Sequence, residues 1–200
     1  MKIFKIKIFL LLICYTSTLE AHTFSGMIGF YDGLSHPVLG MDHFLAMVGV
    51  GIISAQIGGK AIWKIPSIFV GTMLFGGIVG ILIEIRFIWL EIHFSALIEH
   101  GIVLSVILIG LVIIFEKKLT INTSIIFIIF FGLCHGAAHG MEMPWAANPL
   151  LFFIGFMLGT ATLHLFGVGI GSASTKYNLL SLMLRGRGII SVIYGIYLFY

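Results

Sequence analysis

Two short stretches of this 200-residue chain hold most of the residues that can do chemistry: His36-Pro37-Val38-Leu39-Gly40-Met41-Asp42-His43 and His135-Gly136-Ala137-Ala138-His139-Gly140-Met141-Glu142. Both set imidazoles and carboxylates inside or beside segments apolar enough to cross a bilayer, where an ionisable side chain is costly unless a site uses it. His135, His139 and Glu142 follow a spacing of four and then three residues, so an unbroken helix projects all three from one face. Two imidazoles and a carboxylate arranged in this way can grip one divalent ion, and Gly136 and Gly140 beside them leave room for a partner helix. The same histidines can instead bond to backbone carbonyls or waters at the outer interface. In the first stretch, Pro37 suits an extended turn or the first turn of a helix, which predicts Asp42 and His43 in the outermost turns of a span with His36 just above. Asp42 is then either a ligand or a counter-charge to the helix amino end, and the second role explains neither His36 nor His43.

Other candidates are scattered. Glu99 and His100 are adjacent near the outer end of a span and point about 100° apart, which makes Glu99 the expected inward-facing residue. His93 falls in or next to an exposed loop and reads as solvated. His164 lies deeper in a later span, four residues after Thr160. It is read either as an exit ligand or as a histidine bonded to the Thr160 hydroxyl. Of the two cysteines, Cys14 falls in the leader and Cys134 in a span. Neither a disulfide framework nor a thiolate cluster is available, and Cys134 reads as a small packing residue.

The elements that must position these groups are membrane helices. The chain is 60% hydrophobic and 10% charged, its mean hydropathy is +1.16, and its apolar runs repeat at bilayer-spanning length. A transmembrane barrel needs alternating apolar and polar positions, whereas these segments are apolar on every face. The predicted fold class is therefore all-α, a polytopic membrane helix bundle. A basic start at Lys2, Lys5 and Lys7, an apolar core from Ile8 to Cys14 and the small Ala21 read as a signal peptide over residues 1–21. An uncleaved anchor is the alternative, because Leu19 fits a cleavage site poorly. Cleavage after Ala21 makes His22 the first mature residue, whose amine and imidazole can chelate one ion together; the alternative is a frayed terminus.

Six spans are predicted in residues 22–200: Leu39 to Ile57, Ile65 to Ile83, Phe94 to Phe115, Ile121 to Met141, Pro149 to Gly171, and Met183 to Tyr200. The sixth is the shortest, since Arg185 and Arg187 leave only about 20 Å of uncharged helix. Snorkelling arginines and the terminal aromatic residues can extend it to a full crossing. A translocated amino terminus puts Lys60, Lys64, Lys117, Lys118, Lys176, Arg185 and Arg187 in cytoplasmic loops or span ends and only Arg86 outside, as the positive-inside rule requires. Of the eight acids, all but Glu116 then fall outside or near the outer ends of spans, which builds a cation-attracting face. Glycines recur at four-residue spacing at Gly132, Gly136 and Gly140, at Gly76 and Gly80, and at Gly155 and Gly159, a pattern that lets helix backbones approach closely. One bundle is expected, without a soluble domain or internal repeat.

On HPVLGMDH, on Glu99 within IEHGIVLSVILIG, on HGAAHGMEMP and on GTATLHLFG, following a leader that ends just before a histidine, the chain resembles the HupE/UreJ family of bacterial nickel and cobalt permeases. The resemblance runs from the leader to the last span. It implies a permease domain over residues 22–200 rather than an enzyme, and uptake of nickel, or of cobalt, across the inner membrane for hydrogenase or urease maturation. It favours His36, Asp42, His43, His135, His139 and Glu142 as metal-handling residues and His22 as a capture ligand; Glu99 and His164 complete the expected inward route. The partners it implies are the metal ion, membrane lipid and the cytoplasmic metallochaperones of those enzymes; a homo-oligomer is left open, since the sequence is silent on oligomeric state. No resident cofactor and no nucleic acid are expected. Nothing in the motifs separates nickel from cobalt, zinc or iron. The residues by themselves leave open an intramembrane metal-dependent hydrolase, a haem protein with paired axial histidines, and an accessory subunit that binds metal without passing it.

Overall fold

A computed structural model describes residues 29–86, 88–116, 119–141 and 148–199. The expected signal peptide, His22, Lys117, Lys118 and Glu142 lie outside these residues, as do the side chains at 86–93, His93 among them. Among the described residues the chain forms α1 (Phe30–Leu39), α2 (Met41–Ile57), α3 (Ala61–Arg86), α4 (Ile88–Ile114), α5 (Ile121–Met141), α6 (Pro149–Ser174) and α7 (Asn178–Leu198). Five of these, α3 to α7, are each long and apolar enough to span a bilayer, and α1 with α2 reach that length only together, as a pair bent by 81° at the break between them. The chain is thus a multi-pass, all-helical membrane protein.

Long apolar side chains such as Trp63, Leu97, Ile126, Leu158 and Ile193 face outward, as a helix bundle solvated by lipid tails requires. The interior is built around α2, which is buried continuously from Leu45 to Ala55. A helix that is apolar on all sides has no face to give to water and belongs at the centre.

Because lipid tails are as apolar as leucine, close backbone contact rather than hydrophobic burial holds such helices together. The glycine spacing supplies that contact. A Cβ on Gly136 would stand 2.0 Å from the Met73 carbonyl oxygen, and one on Gly140 2.2 Å from that of Gly77. Gly76 and Gly80 approach Leu133 and Ala137 in return, so α3 and α5 are zipped along their length. Gly136→Ala is expected to cost about 1–3 kcal/mol because a helix backbone must move. Gly186→Ala, at a position with nothing within 4 Å, should cost none. Thermal midpoints of the two purified variants measure the difference, and equal midpoints would contradict this packing.

Two sequence expectations change here. Pro37 lies inside α1, not in an extended turn or a first turn. The missing N–H of proline releases the Gly33 carbonyl, and the helix ends two residues later, where Gly40 turns extended (φ −75°, ψ 113°) before α2 begins. The other change concerns α7, which starts at Asn178, before both arginines, and so reaches full spanning length. Arg185 donates from Nε to the Ile114 carbonyl at 3.1 Å, satisfying an acceptor at the carboxyl end of α4. Arg187 is not at a span end: it is half-buried within the bundle and donates from Nη2 to the Leu45 carbonyl at 2.6 Å. Burial of its aliphatic stem and a carbonyl partner allow the charge to lie this deep.

Candidate metal centre

The bend at Gly40 decides which side chains meet. It folds α1 back across the bundle, where Gly33, Gly155 and Gly159 let α1 and α6 touch backbone to backbone; a Cβ on Gly33 would stand 2.0 Å from the Phe152 carbonyl oxygen. His36, near the end of α1, is thereby carried over the start of α2, and α5 brings His139 to the same point. The His36 and His139 rings are 4.5 Å apart between centroids, His43 and His139 4.6 Å, and His36 and His43 5.7 Å. Each offers one ring nitrogen to a set whose members all lie within 4.8 Å of one another.

Asp42 sets the state of this trio. Its carboxylate accepts a hydrogen bond from His43 Nδ1 at 2.9 Å, which leaves the Nε2 lone pair of a neutral His43 as the available one. That lone pair accepts a hydrogen bond from His139 Nε2–H at 2.7 Å, the contact that a shared cation would replace. Two cis ligands on one ion stand about 2.9 Å apart when metal–nitrogen bonds are about 2.0–2.1 Å and meet at a right angle, so this spacing suits a shared cation. If His43 held a metal, Asp42 would be the outer hydrogen-bond partner of that ring, an arrangement that fixes tautomer and orientation and raises basicity.

Aromatic rings close the site. Phe156 packs on His139 at 4.3 Å, and Phe152 and Phe156 flank His36 at 6.1 and 5.9 Å. His43 and His139 are buried, and His36 is half-buried at the mouth. An ion held here would exchange water for imidazole in a dry setting, which suits borderline metals of the nickel, cobalt and zinc type better than magnesium or calcium, which prefer oxygen.

The other predicted residues fall elsewhere. His135, expected to share one ion with His139 on a common face, lies one turn along α5 with its ring 5.2 Å from that of His43, and its Nδ1 donates to the Phe131 carbonyl at 2.9 Å. Glu99, expected to face inward, stands on the exposed side of α4 and does not join the trio. Its neighbour His100 is exposed too and bonds to the Ala96 carbonyl. His164 is fully buried on α6. It donates from Nδ1 to the Met47 carbonyl at 2.8 Å, while the Thr160 hydroxyl turns to Met73 Sδ at 3.8 Å, so the expected Thr160 partner is replaced.

Sequence reading missed Phe69, whose ring contacts both His135 and His164 at centroid distances of 5.5 and 5.1 Å. It also missed the aromatic walls, and it placed the half-buried Arg187 at a span end rather than within the bundle. Only Arg187 carries a readable signal, as a charge in an apolar segment; the phenylalanines look like any of the 18 in the chain.

Comparison with known proteins agrees with the motifs. The family model described as "HupE / UreJ protein" matches residues 10–198. The "Protein HupE" of Rhizobium leguminosarum bv. viciae is 37% identical over 172 residues, which cover 86% of this chain and 85% of that relative. No solved structure matches the chain.

Proposed function

The chain belongs to the HupE/UreJ family, and from that premise we propose that it is a secondary permease taking up divalent transition-metal ions, nickel foremost and cobalt next, across the bacterial inner membrane. The observation that carries the reading is the trio itself: three imidazole nitrogens within 4.8 Å of one another, two of them on buried rings, at the bend between α1 and α2. Discontinuous helices are a recurrent way to expose ligands inside a membrane protein, because the break frees side chains and backbone groups to face an ion. The mature amino terminus is outside in this reading, so the acidic outer face gathers cations, with His22 as a capture ligand and Glu142 as a further metal-handling residue. Metallochaperones of hydrogenase or urease would receive the ion in the cytoplasm.

The haem alternative loses ground at this site. Two axial histidines on one iron need about 4 Å between nitrogens, twice a bond of about 2.0 Å, whereas His43 and His139 stand 2.7 Å apart.

Uptake into sealed vesicles containing the purified protein, with nickel, cobalt, zinc and iron in competition, tests activity and substrate together. Vesicles that take up none of these ions faster than protein-free ones would end the proposal. The same assay carries a pH expectation. Protons and metal compete for the same imidazole lone pairs, so uptake should weaken as external pH is lowered and recover as it is raised. Uptake that does not weaken at any acidic pH at which the protein stays folded would speak against histidine ligands.

A further inference from the structure

Two buried histidines lie beyond the trio, and both have the same hydrogen-bonding state. His135 and His164 each spend Nδ1 on a backbone carbonyl, those of Phe131 and Met47. A carbonyl can only accept, so in the neutral ring the proton sits on Nδ1 and the lone pair on Nε2. Both Nε2 atoms are buried without a hydrogen-bond partner among the described residues. An acceptor left unpaired in an apolar interior is costly and calls for an explanation. Metal-binding imidazoles are held in this way, one nitrogen donating to a carbonyl or carboxylate and the other free to coordinate.

Ring contacts connect them to the trio and to each other through Phe69. The His135 ring is 5.2 Å from the His43 ring of the trio, and Phe69 lies against both His135 and His164. His164 follows Phe156, which packs on His139, by eight residues of α6, so it stands about 12 Å further along that helix. Its reach to Met47 depends on backbone contact between α2 and α6. A Cβ on Gly51 would be 2.2 Å from the His164 carbonyl oxygen, and one on Gly167 2.2 Å from that of Val48.

We propose that His135 and His164 are successive inner stations for the divalent ion, each supplying one Nε2 ligand beside the Phe69 ring, so that the cation leaves the trio by stepping through single-nitrogen sites. The proposal rests on the permease reading. It gives His164 a role that a structural hydrogen bond does not require, since the Nδ1 donor alone would tie α6 to α2. A single imidazole holds an ion weakly enough to release it, and a route needs that as much as it needs capture.

The test separates the two nitrogens. In His164→Asn the amide N–H can replace the Nδ1 donor to Met47 while the Nε2 ligand is lost. Nickel binding by the trio, measured by titration of the detergent-purified protein, should stay as in the unmodified chain, while nickel flux into vesicles falls about tenfold or more. Unchanged flux would overturn the proposal. Should the variant fail to fold, the unmodified protein decides by nitrogen-15 resonances of its histidine rings during titration with zinc, a diamagnetic probe. Movement of the His135 and His164 Nε2 signals together with those of His36, His43 and His139 supports the stations, and movement confined to the trio refutes them. An unmodified protein that shows neither flux nor any histidine response fails earlier, at the permease reading itself.

Discussion

Nickel uptake into vesicles should fall about a hundredfold or more when His139 is replaced by alanine. His139 is the member of the trio shared between the other two rings, at 4.5 Å from His36 and 4.6 Å from His43. Without it, His43 Nε2 loses its facing nitrogen, and two imidazoles on α1 and α2 remain where three converged. Loss of an outer-shell partner alone commonly lowers metal affinity 10–100-fold, and a direct ligand removes at least as much. The substitution also opens a cavity against Phe156, so folding must be checked by elution profile and thermal midpoint before the flux is interpreted. His100→Ala is the matched control: an exposed histidine bonded to its own helix carbonyl, it should leave uptake unchanged. Equal uptake by the two variants would remove the trio from the mechanism.

The second large effect comes from a residue with no side chain. Gly33→Val puts a branched side chain where even a Cβ stands 2.0 Å from the Phe152 carbonyl oxygen and 2.9 Å from the Phe156 nitrogen. Both contacts are backbone, so α1 must lift from α6 and take His36 away from the trio. His43 and His139 stay, because α2 and α5 do not pack through Gly33. Nickel affinity should therefore fall about 10–100-fold, to the level of His36→Ala, with an added stability loss of about 1–3 kcal/mol from the displaced helix. Titration of both variants in detergent makes the comparison. Wild-type affinity in Gly33→Val would mean that docking of α1 does not build the site.

These two expectations mark where the sequence could be read and where it could not. His36, His43 and His139 stand out in the string because imidazoles are rare in apolar helices and cost energy there. Gly136 and Gly140 announce a close helix neighbour by their spacing, and α3 is that neighbour. His135 and His139 share a helix face as expected, yet one turn of α5 separates them, and in the folded chain only His139 points into the trio. Glu99 was expected to face inward and does not, since α4 is apolar around its whole circumference and offers no pattern to orient it. Its exposed position follows from how α4 packs on its neighbours, information that lies in their sequences as much as its own.

By itself, the amino-acid sequence determined that this is a multi-pass helical membrane protein of the HupE/UreJ family, and which side chains are costly enough to need a use. These properties depend on local composition and on spacing within one segment, which a linear reading captures. Tertiary structure alone decided that His36 joins His43 and His139, that Asp42 orients His43, and that Phe69 lies between the trio's neighbour His135 and the deeper His164. The reason is geometric: an 81° turn at Gly40 and backbone contacts at glycines on several helices set distances between residues as far apart in sequence as His36 and His139, 103 positions, and no helical period within either segment encodes such a distance.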